Sequence, residues 1–164
     1  MKTITRSNLY LPMAAMILTA APALPAAAQK QVPFKGIFLG NDTVTPPATI
    51  ATAATGIGTH LGRFSFTQEV TVGANATDAG SARWRAANGD SLETKVAGFA
   101  EPSDNPDYLK VTERHTITGG TGRFSGAQGS FTVDRMHKFA PSDDGTHVTF
   151  GWFEGTITSP GAVH

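Results

Sequence analysis

The sequence predicts a single all-β domain, built as an eight-stranded antiparallel up-and-down barrel. Three observations predict it. Apolar and polar residues alternate along most of the chain after residue 58, which is the period-2 pattern of half-buried strands. No segment beyond residue 28 repeats apolar residues at helical spacing. Glycine and proline number 18 and 10 in 164 residues, and they separate the alternating segments with turns.

Turn residues bound each predicted strand. Seven alternating segments qualify as strands: 33–40, 64–72, 81–87, 91–100, 108–118, 127–139 and 146–158. Residues 75–80 are predicted as a turn, and Asn88-Gly89-Asp90 is a strong hairpin turn. The segment 41–58 is rich in Thr, Ala, Pro and Gly. It is predicted as a long loop, with the eighth strand lying within 48–57. Strands of about ten residues joined by short turns favour a barrel, and a two-sheet sandwich is the alternative.

Residues 1–28 have the features of a secretory signal peptide. Lys2 and Arg6 form a basic start, an uncharged run of 13 mostly apolar residues follows, and an Ala-x-Ala site ends the segment. The run is too short for a membrane span of about 20 residues. We therefore expect cleavage after Ala28, a secreted or periplasmic location, and one β-barrel domain over 29–164.

Charge and cysteine content exclude several classes of function. The chain has 13 basic and 13 acidic residues, and removing Lys2 and Arg6 leaves 11 basic against 13 acidic. Such a balance does not favour nucleic acid or an anionic membrane as a partner. The outward faces of the predicted strands carry charges such as Glu69 and Lys110, so membrane insertion as a barrel is not expected. The chain has no cysteine, which excludes disulfides and thiol chemistry.

The most specific string is the glycine-rich run 119–129, GGTGRFSGAQG. It predicts a tight connection between two strands, in which Gly120 or Gly122 adopts a positive φ and Phe124 closes one end of the barrel. No Gly-Lys-Ser/Thr follows the run, and no strand-to-helix transition surrounds it. Neither a phosphate loop nor a dinucleotide-binding turn is therefore indicated.

This run resembles the Gly-Gly-Thr-Gly-x-Phe-x-x-Ala-x-Gly segment of the allene oxide cyclase and dirigent barrels, and of secreted bacterial proteins with the same type of barrel. The string 59–64 is similar to one that recurs in the bacterial group, and the resemblance covers 58–158. It implies a calycin-like barrel whose lumen takes a small lipophilic molecule. The cyclase-type lumen has a Glu on its first strand and a Cys deeper in. Here 33–40 contains no acid and the chain no Cys, so no catalytic residue is carried over.

Alternation also places polar residues on the faces that carry the apolar side chains. These inward positions form the candidate ligand-binding set: Gln68, Glu113, His115, Arg135, His137, Trp152 and Glu154. Glu113, Glu154 and Arg135 are also the candidate catalytic residues. A carboxyl group with a raised pKa would move a proton, and the guanidinium would hold a carboxylate or enolate oxygen. Matching the faces across the 140–145 turn sets Arg135 opposite Trp152.

Three functions stay open. The preferred one is an exported soluble barrel that binds a small lipophilic or amphipathic molecule in its lumen. The first alternative is a lumenal cyclase or isomerase that uses Glu113 or Glu154 with Arg135. The second is a filled structural barrel without a ligand, in which these residues form an ion-paired plug. A one-residue slip would place them all outside.

The sequence leaves open whether the chain is an enzyme and whether it forms a homo-oligomer. Its five histidines are scattered, without a His-x-His or His-x-x-x-His pair, so no metal or cofactor is expected.

Overall fold

The alternating segments form strands that close into a barrel, shown by a computed structural model that describes residues 30–158 and 160–161. The strands are β1 Gln31–Thr45, β2 Thr49–Gly58, β3 Gly62–Val72, β4 Thr77–Ala86, β5 Ser91–Pro102, β6 Tyr108–Gly120, β7 Gly129–Lys138 and β8 His147–Thr158. Each strand pairs antiparallel with the next, and β8 pairs with β1. The predicted all-β eight-stranded barrel is therefore confirmed. None of the described residues form a helix long and apolar enough to cross a membrane.

The segment 41–58 is mostly strand, so the prediction of a long loop there is wrong. β1 continues to Thr45, and β2 lies where the eighth strand was expected. The small residues Thr52 and Ala54 are buried and alternate with exposed neighbours. Because the inward residues of β2 are small, a search for alternating large apolar residues does not identify this strand. The inward positions of β2 are small because bulky side chains from other strands fill the lumen beside them.

Two further boundaries differ from the predictions. A 3-10 turn occupies Ala74–Ala76 and β4 starts at Thr77, so the predicted turn at 75–80 is partly strand. Asp78 consequently lies on a strand and points inward, with 9% of its surface exposed. β7 ends at Lys138, one residue before the end predicted for this strand, and Phe139 is exposed beyond it.

Large apolar side chains fill the half of the lumen near the β2–β3, β4–β5 and β6–β7 connections. Five aromatic rings pack there with centroid separations of 4.2 to 5.7 Å: Phe34, Phe66, Trp84, Phe131 and Phe153. Leu61 and Phe124 come from the connections and are fully buried, so they cover this end. The expectation that Phe124 closes one end of the barrel is confirmed. We call this half of the lumen the closed end.

The glycine-rich connection contains the positive φ that its sequence predicts. Gly122 has φ +56°, whereas Gly120 is not in the left-handed region. A Cβ atom added at Gly122 would overlap the Asp90 carboxylate. A Cβ atom at Gly120 would lie 2.6 Å from the carbonyl oxygen of Phe124. Both positions therefore require glycine, but for different reasons.

On β8 the inward face is the opposite of the predicted one. Thr149, Phe153 and Ile157 are buried, while Trp152 and Glu154 are exposed. Two inward positions of β8, 151 and 155, are glycines, so this face looks less apolar in the sequence than the outer face with its aromatic residues. The predicted register is one residue off, because Arg135 lies opposite Gly151 and not opposite Trp152.

Candidate functional site

Polar and charged side chains fill the other half of the lumen, toward the β1–β2, β3–β4, β5–β6 and β7–β8 turns. The buried members of this set, which we call the polar cluster, are Asp42, Thr52, Gln68, Asp78, Thr94, Glu113, His115, Arg135, His137 and Thr149. Every one of the eight strands contributes at least one inward position to the polar cluster. Closure of the barrel is therefore what assembles it. We call this half of the lumen the polar end.

Arg135 lies at the centre of the polar cluster. Its Nε and Nη2 atoms donate to the two carboxylate oxygens of Glu113, at 3.2 and 3.1 Å. Its Nη1 atom donates to Asp42 Oδ2 at 2.8 Å and to the Thr149 hydroxyl at 3.2 Å. Each nitrogen of the guanidinium thus has a partner within the protein. The Glu113 contact is bidentate, which is the strongest geometry for an Arg–carboxylate pair.

Asp42 connects Arg135 to the rim of the barrel. The Thr52 hydroxyl donates to its Oδ1 atom at 2.6 Å, and His137 Nδ1 lies 2.6 Å from its Oδ2 atom. The ring of His137 stacks on that of His147, with centroids 5.0 Å apart. Asp42 is absent from the predicted set because its segment was assigned to a loop. Its spacing from Phe34 and Phe38, in steps of four, was the signal that could have identified it.

The two carboxylates that flank Arg135 are held ionised. Burial opposes ionisation of Glu113, but the charge and hydrogen bonds of Arg135, together with the adjacent His115, outweigh it and lower the pKa of Glu113 to about 2. Burial likewise opposes ionisation of Asp42, yet the His137 hydrogen bond and the Arg135 charge bring its pKa below the usual value. A raised pKa for Glu113 was expected, and that expectation is wrong. Arg135, in turn, uses four of its five N–H donors on partners within the protein, so it has little capacity left to hold a substrate anion.

Asp78 behaves in the opposite way. Burial raises the pKa of Asp78 to about 6, and the nearby negative charge of Glu113 adds to the effect. Its Oδ1 atom has no hydrogen-bond partner among the described residues. Asp78 is thus a carboxyl group at the polar end that titrates close to neutral pH. The sequence missed it because residues 75–80 resemble a turn.

Gln68 and His115 are the members of the polar cluster that lie nearest the aromatic rings. Gln68 Nε2 donates to Glu113 Oε1 at 2.6 Å, which leaves its Oε1 atom without a partner. His115 Nδ1 lies 2.9 Å from the Thr94 hydroxyl, and its ring stacks on Phe131. Its Nε2 atom is 3.9 Å from Glu113 Oε2, which is too long for a hydrogen bond. Burial lowers the pKa of His115, so the ring is neutral near pH 7.

The structure brings together five of the seven predicted ligand-binding residues. Gln68, Glu113, His115, Arg135 and His137 lie within the lumen. The other two, Trp152 and Glu154, lie on the outer face of β8, and their predicted inward position is wrong. Glu154 therefore cannot act with Arg135 in the lumen. Within the described part of the chain, no three His, Cys, Asp or Glu side chains are grouped as metal ligands.

Comparisons with known proteins support the architecture. A scan against protein-family models finds no match, and a search of the curated proteins also finds none. Among solved structures, the chain is similar to the pterocarpan synthase dirigent protein GePTS1, with 13% sequence identity and a TM-score of 0.53. The alignment covers 89% of this chain and 99% of that chain. At this identity the likeness shows the fold alone, and that fold is a dirigent-type eight-stranded barrel.

Proposed function

We propose that this chain is an exported barrel protein that binds a small, uncharged amphipathic molecule at the polar end of its lumen. One observation carries the proposal. Three buried polar atoms of the polar cluster lack a hydrogen-bond partner among the described residues: Gln68 Oε1, Asp78 Oδ1 and His115 Nε2. A buried polar atom left unpaired costs about 1–3 kcal/mol. A ligand that supplies the missing partners is therefore bound more tightly than its apolar contacts alone would allow.

The charges of the polar cluster define the polar group of the ligand. Asp42 and Glu113 carry two negative charges against the single positive charge of Arg135. A ligand carboxylate would add a third negative charge without finding a free guanidinium. Gln68 Oε1 is a hydrogen-bond acceptor, and so is Asp78 Oδ1 when ionised. The ligand group that fits them is a hydroxyl or amine donor.

The apolar part of the ligand belongs at the rim of the polar end. Val44, Ile50, Val72 and Leu109 continue the inward faces of their strands beyond the polar cluster and are partly exposed. The closed end is already filled by aromatic rings, so it offers little room for a ligand. A site with apolar walls above a few polar atoms is the usual form of a small-molecule site.

A matched pair of ligands tests the proposal. 2-Naphthol carries a hydroxyl donor, and 2-methoxynaphthalene has nearly the same shape without it. We expect the protein to bind 2-naphthol about tenfold more tightly, which corresponds to one net hydrogen bond of about 1.4 kcal/mol. The Asp78→Ala variant should lose this preference. Asp134→Ala, which removes a carboxylate from the outer face of β7, should keep it. Fluorescence titration measures all of these dissociation constants.

Equal affinity for the two compounds in the parent protein would contradict the proposed donor contact. Binding of neither compound would favour the filled structural barrel, in which the polar cluster serves stability alone.

A lumenal isomerase or cyclase is the second candidate function, and the titration of Asp78 favours it. Glu154 lies outside the lumen and the pKa of Glu113 is about 2, so neither is a suitable proton donor. Asp78, with a pKa of about 6, meets that requirement. Turnover of an unsaturated or epoxide substrate, with a pH profile that inflects near 6 and is abolished by Asp78→Asn, would establish this activity. Binding without turnover would leave the carrier function.

A further inference from the structure

A trough crosses the outer face of the barrel near its closed end, outside the lumen. It has a volume of about 900 Å³ and lies over β1 to β4. The row of residues across it is Leu39, Thr55, Ser65 and Arg85, each paired with the next on the neighbouring strand. Large side chains stand at both ends of this row and small ones in the middle. Their sizes produce the concave shape.

One wall of the trough is apolar and unusually exposed. Ile37, Leu39 and Ile57 have 62%, 60% and 58% of their surfaces accessible. Ile37 and Ile57 are directly paired across β1 and β2, so the three side chains form a continuous surface. Contiguous exposed apolar side chains of this kind mark binding sites more often than scattered ones do.

The other wall carries two arginines, Arg63 on β3 and Arg85 on β4. Neither guanidinium lies within 4.0 Å of a carboxylate among the described residues. The neighbouring Arg83, in contrast, pairs with Glu93 at 2.7 Å. Arg63 and Arg85 are diagonal neighbours across the β3–β4 pair, which places the two residues roughly 7–8 Å apart. Two unpaired positive charges at this spacing suit a single carboxylate or sulfonate group.

We propose that this trough is a second binding site, which takes an amphipathic anion. The anionic group binds between Arg63 and Arg85, and the apolar body lies on Ile37, Leu39 and Ile57. The trough spans three strand spacings of about 4.8 Å, which accommodates a fused aromatic ring system or a short acyl chain. Its volume is within the range of small-molecule sites, about 300–1,000 Å³. The site is separate from the polar end of the lumen, and it takes an anion where the polar end takes an uncharged molecule.

Two fluorescent probes that differ by one charged group test the proposal. 1-Anilinonaphthalene-8-sulfonate carries a sulfonate, and N-phenyl-1-naphthylamine is the same ring system without it. We expect the sulfonate to bind more tightly, and we expect added salt to weaken its binding but not that of the neutral probe. Arg63→Gln and Arg85→Gln should each weaken sulfonate binding by about fivefold or more. Neither variant should change the affinity for the neutral probe.

Arg114→Gln is the matched control, since Arg114 is an exposed arginine on the outer face of β6, outside the trough. It should leave the affinity for both probes unchanged. An equal loss in Arg114→Gln would show that net charge alone attracts the sulfonate, and would overturn the proposal. So would unchanged affinity in both trough variants.

A second copy of the chain is the competing occupant of this apolar face, and sedimentation distinguishes it. A parent protein that sediments as a monomer and binds the sulfonate probe supports the proposal. A parent protein that sediments as an oligomer, and that binds the sulfonate probe no more tightly than the neutral probe, would overturn it.

Discussion

Arg135 and Asp42 lie 93 residues apart in the chain, and their side chains meet inside the barrel with an Nη1–Oδ2 distance of 2.8 Å. They belong to β7 and β1, which are not neighbours, because β8 lies between them. Thr149 of β8 accepts from the same Nη1 atom. The contact therefore ties three strands together at the point where the barrel closes, and it forms only when β8 is in place.

Removal of Arg135 should destabilise the protein strongly. In Arg135→Met, Asp42 and Glu113 become buried carboxylates without their cation, and an orphaned buried charge of this kind costs roughly 3–5 kcal/mol. Denaturant unfolding at neutral pH measures the loss. Arg114→Met removes an arginine from the exposed face of the adjacent strand β6 and should stay within about 0.5 kcal/mol of the parent. A similar small change in both variants would show that the ion pairs contribute little.

Neutralising the orphaned partners should restore much of that stability. In the triple variant Asp42→Asn, Glu113→Gln, Arg135→Met, no buried charge remains at the centre of the polar cluster. We expect its free energy of unfolding to exceed that of Arg135→Met by at least about 1 kcal/mol, since replacing a whole buried ion pair is often nearly neutral. A triple variant less stable than the single one would refute the explanation by orphaned charge.

Asp78→Asn should stabilise the protein at neutral pH and have little effect in acid. The pKa of Asp78 is raised to about 6 in the folded state, so the folded protein favours the protonated carboxyl. Its stabilising contribution is present below the unfolded pKa of about 3.8 and is lost as the pH rises through about 6. Relative to the parent, Asp78→Asn should gain about 1–3 kcal/mol at pH 7.5.

The comparison is made between the two proteins at each pH, because Asp42 and Glu113 lose their own contribution in acid in both of them. A gain that is equal at pH 4 and pH 7.5 would mean that the carboxyl group of Asp78 is not perturbed.

Glycine at position 122 should be essential for the β6–β7 connection. Gly122→Val forces a β-branched residue into φ +56° and drives its Cβ atom into the Asp90 carboxylate. We expect a loss of more than about 1 kcal/mol. Gly119→Val is the control, because a Cβ atom there meets nothing within 4 Å and φ is not positive. Thermal unfolding compares the two, and equal melting temperatures would show that the turn is ordinary.

The predicted signal peptide lies in residues 1–28, outside the residues that the structure describes. Expressed in a bacterium with this segment, the protein should leave the cytoplasm and begin at Gln29. N-terminal sequencing of the exported protein checks the cleavage site. Exported protein that still begins at Met1 would show that the segment is not removed.

The alternation of apolar and polar residues identifies the inward face of a strand correctly where the inward residues are large. On β6 and β7 it placed Glu113, His115, Arg135 and His137 correctly, because Val111, Val133 and Phe131 mark the same face. On these two strands, every second residue counted from a buried apolar residue faces inward, and this count identifies the inward polar residues. The barrel itself followed from the number and length of such segments.

The same alternation identifies the wrong face of a strand where small residues face inward. On β8, positions 151 and 155 face the lumen. Both are glycines because Arg135 and Phe131 occupy the space that a side chain there would need. A Cβ atom at Gly155 would lie 2.5 Å from the Cα atom of Phe131. Packing of one strand against another decides these positions, and a single strand's sequence does not contain that information. The more apolar face of β8 is consequently the outer one, which led to the wrong placement of Trp152.

The pairing of β1 with β8 also places the two ends of the barrel chain side by side. The register runs from Gln31 opposite Thr158 to Asp42 opposite His147. A short linker could join these ends, and new termini could be opened in the exposed β5–β6 turn at 103–107. In such a circular permutant all eight pairings survive, but Arg135 and Asp42 become close in sequence. The loop that must close to join them shortens, while the β5–β6 hairpin becomes the most distant pairing in the chain. The permutant would form the same barrel, but the strand pair that joins the two ends of the chain would be β5–β6 and no longer β1–β8.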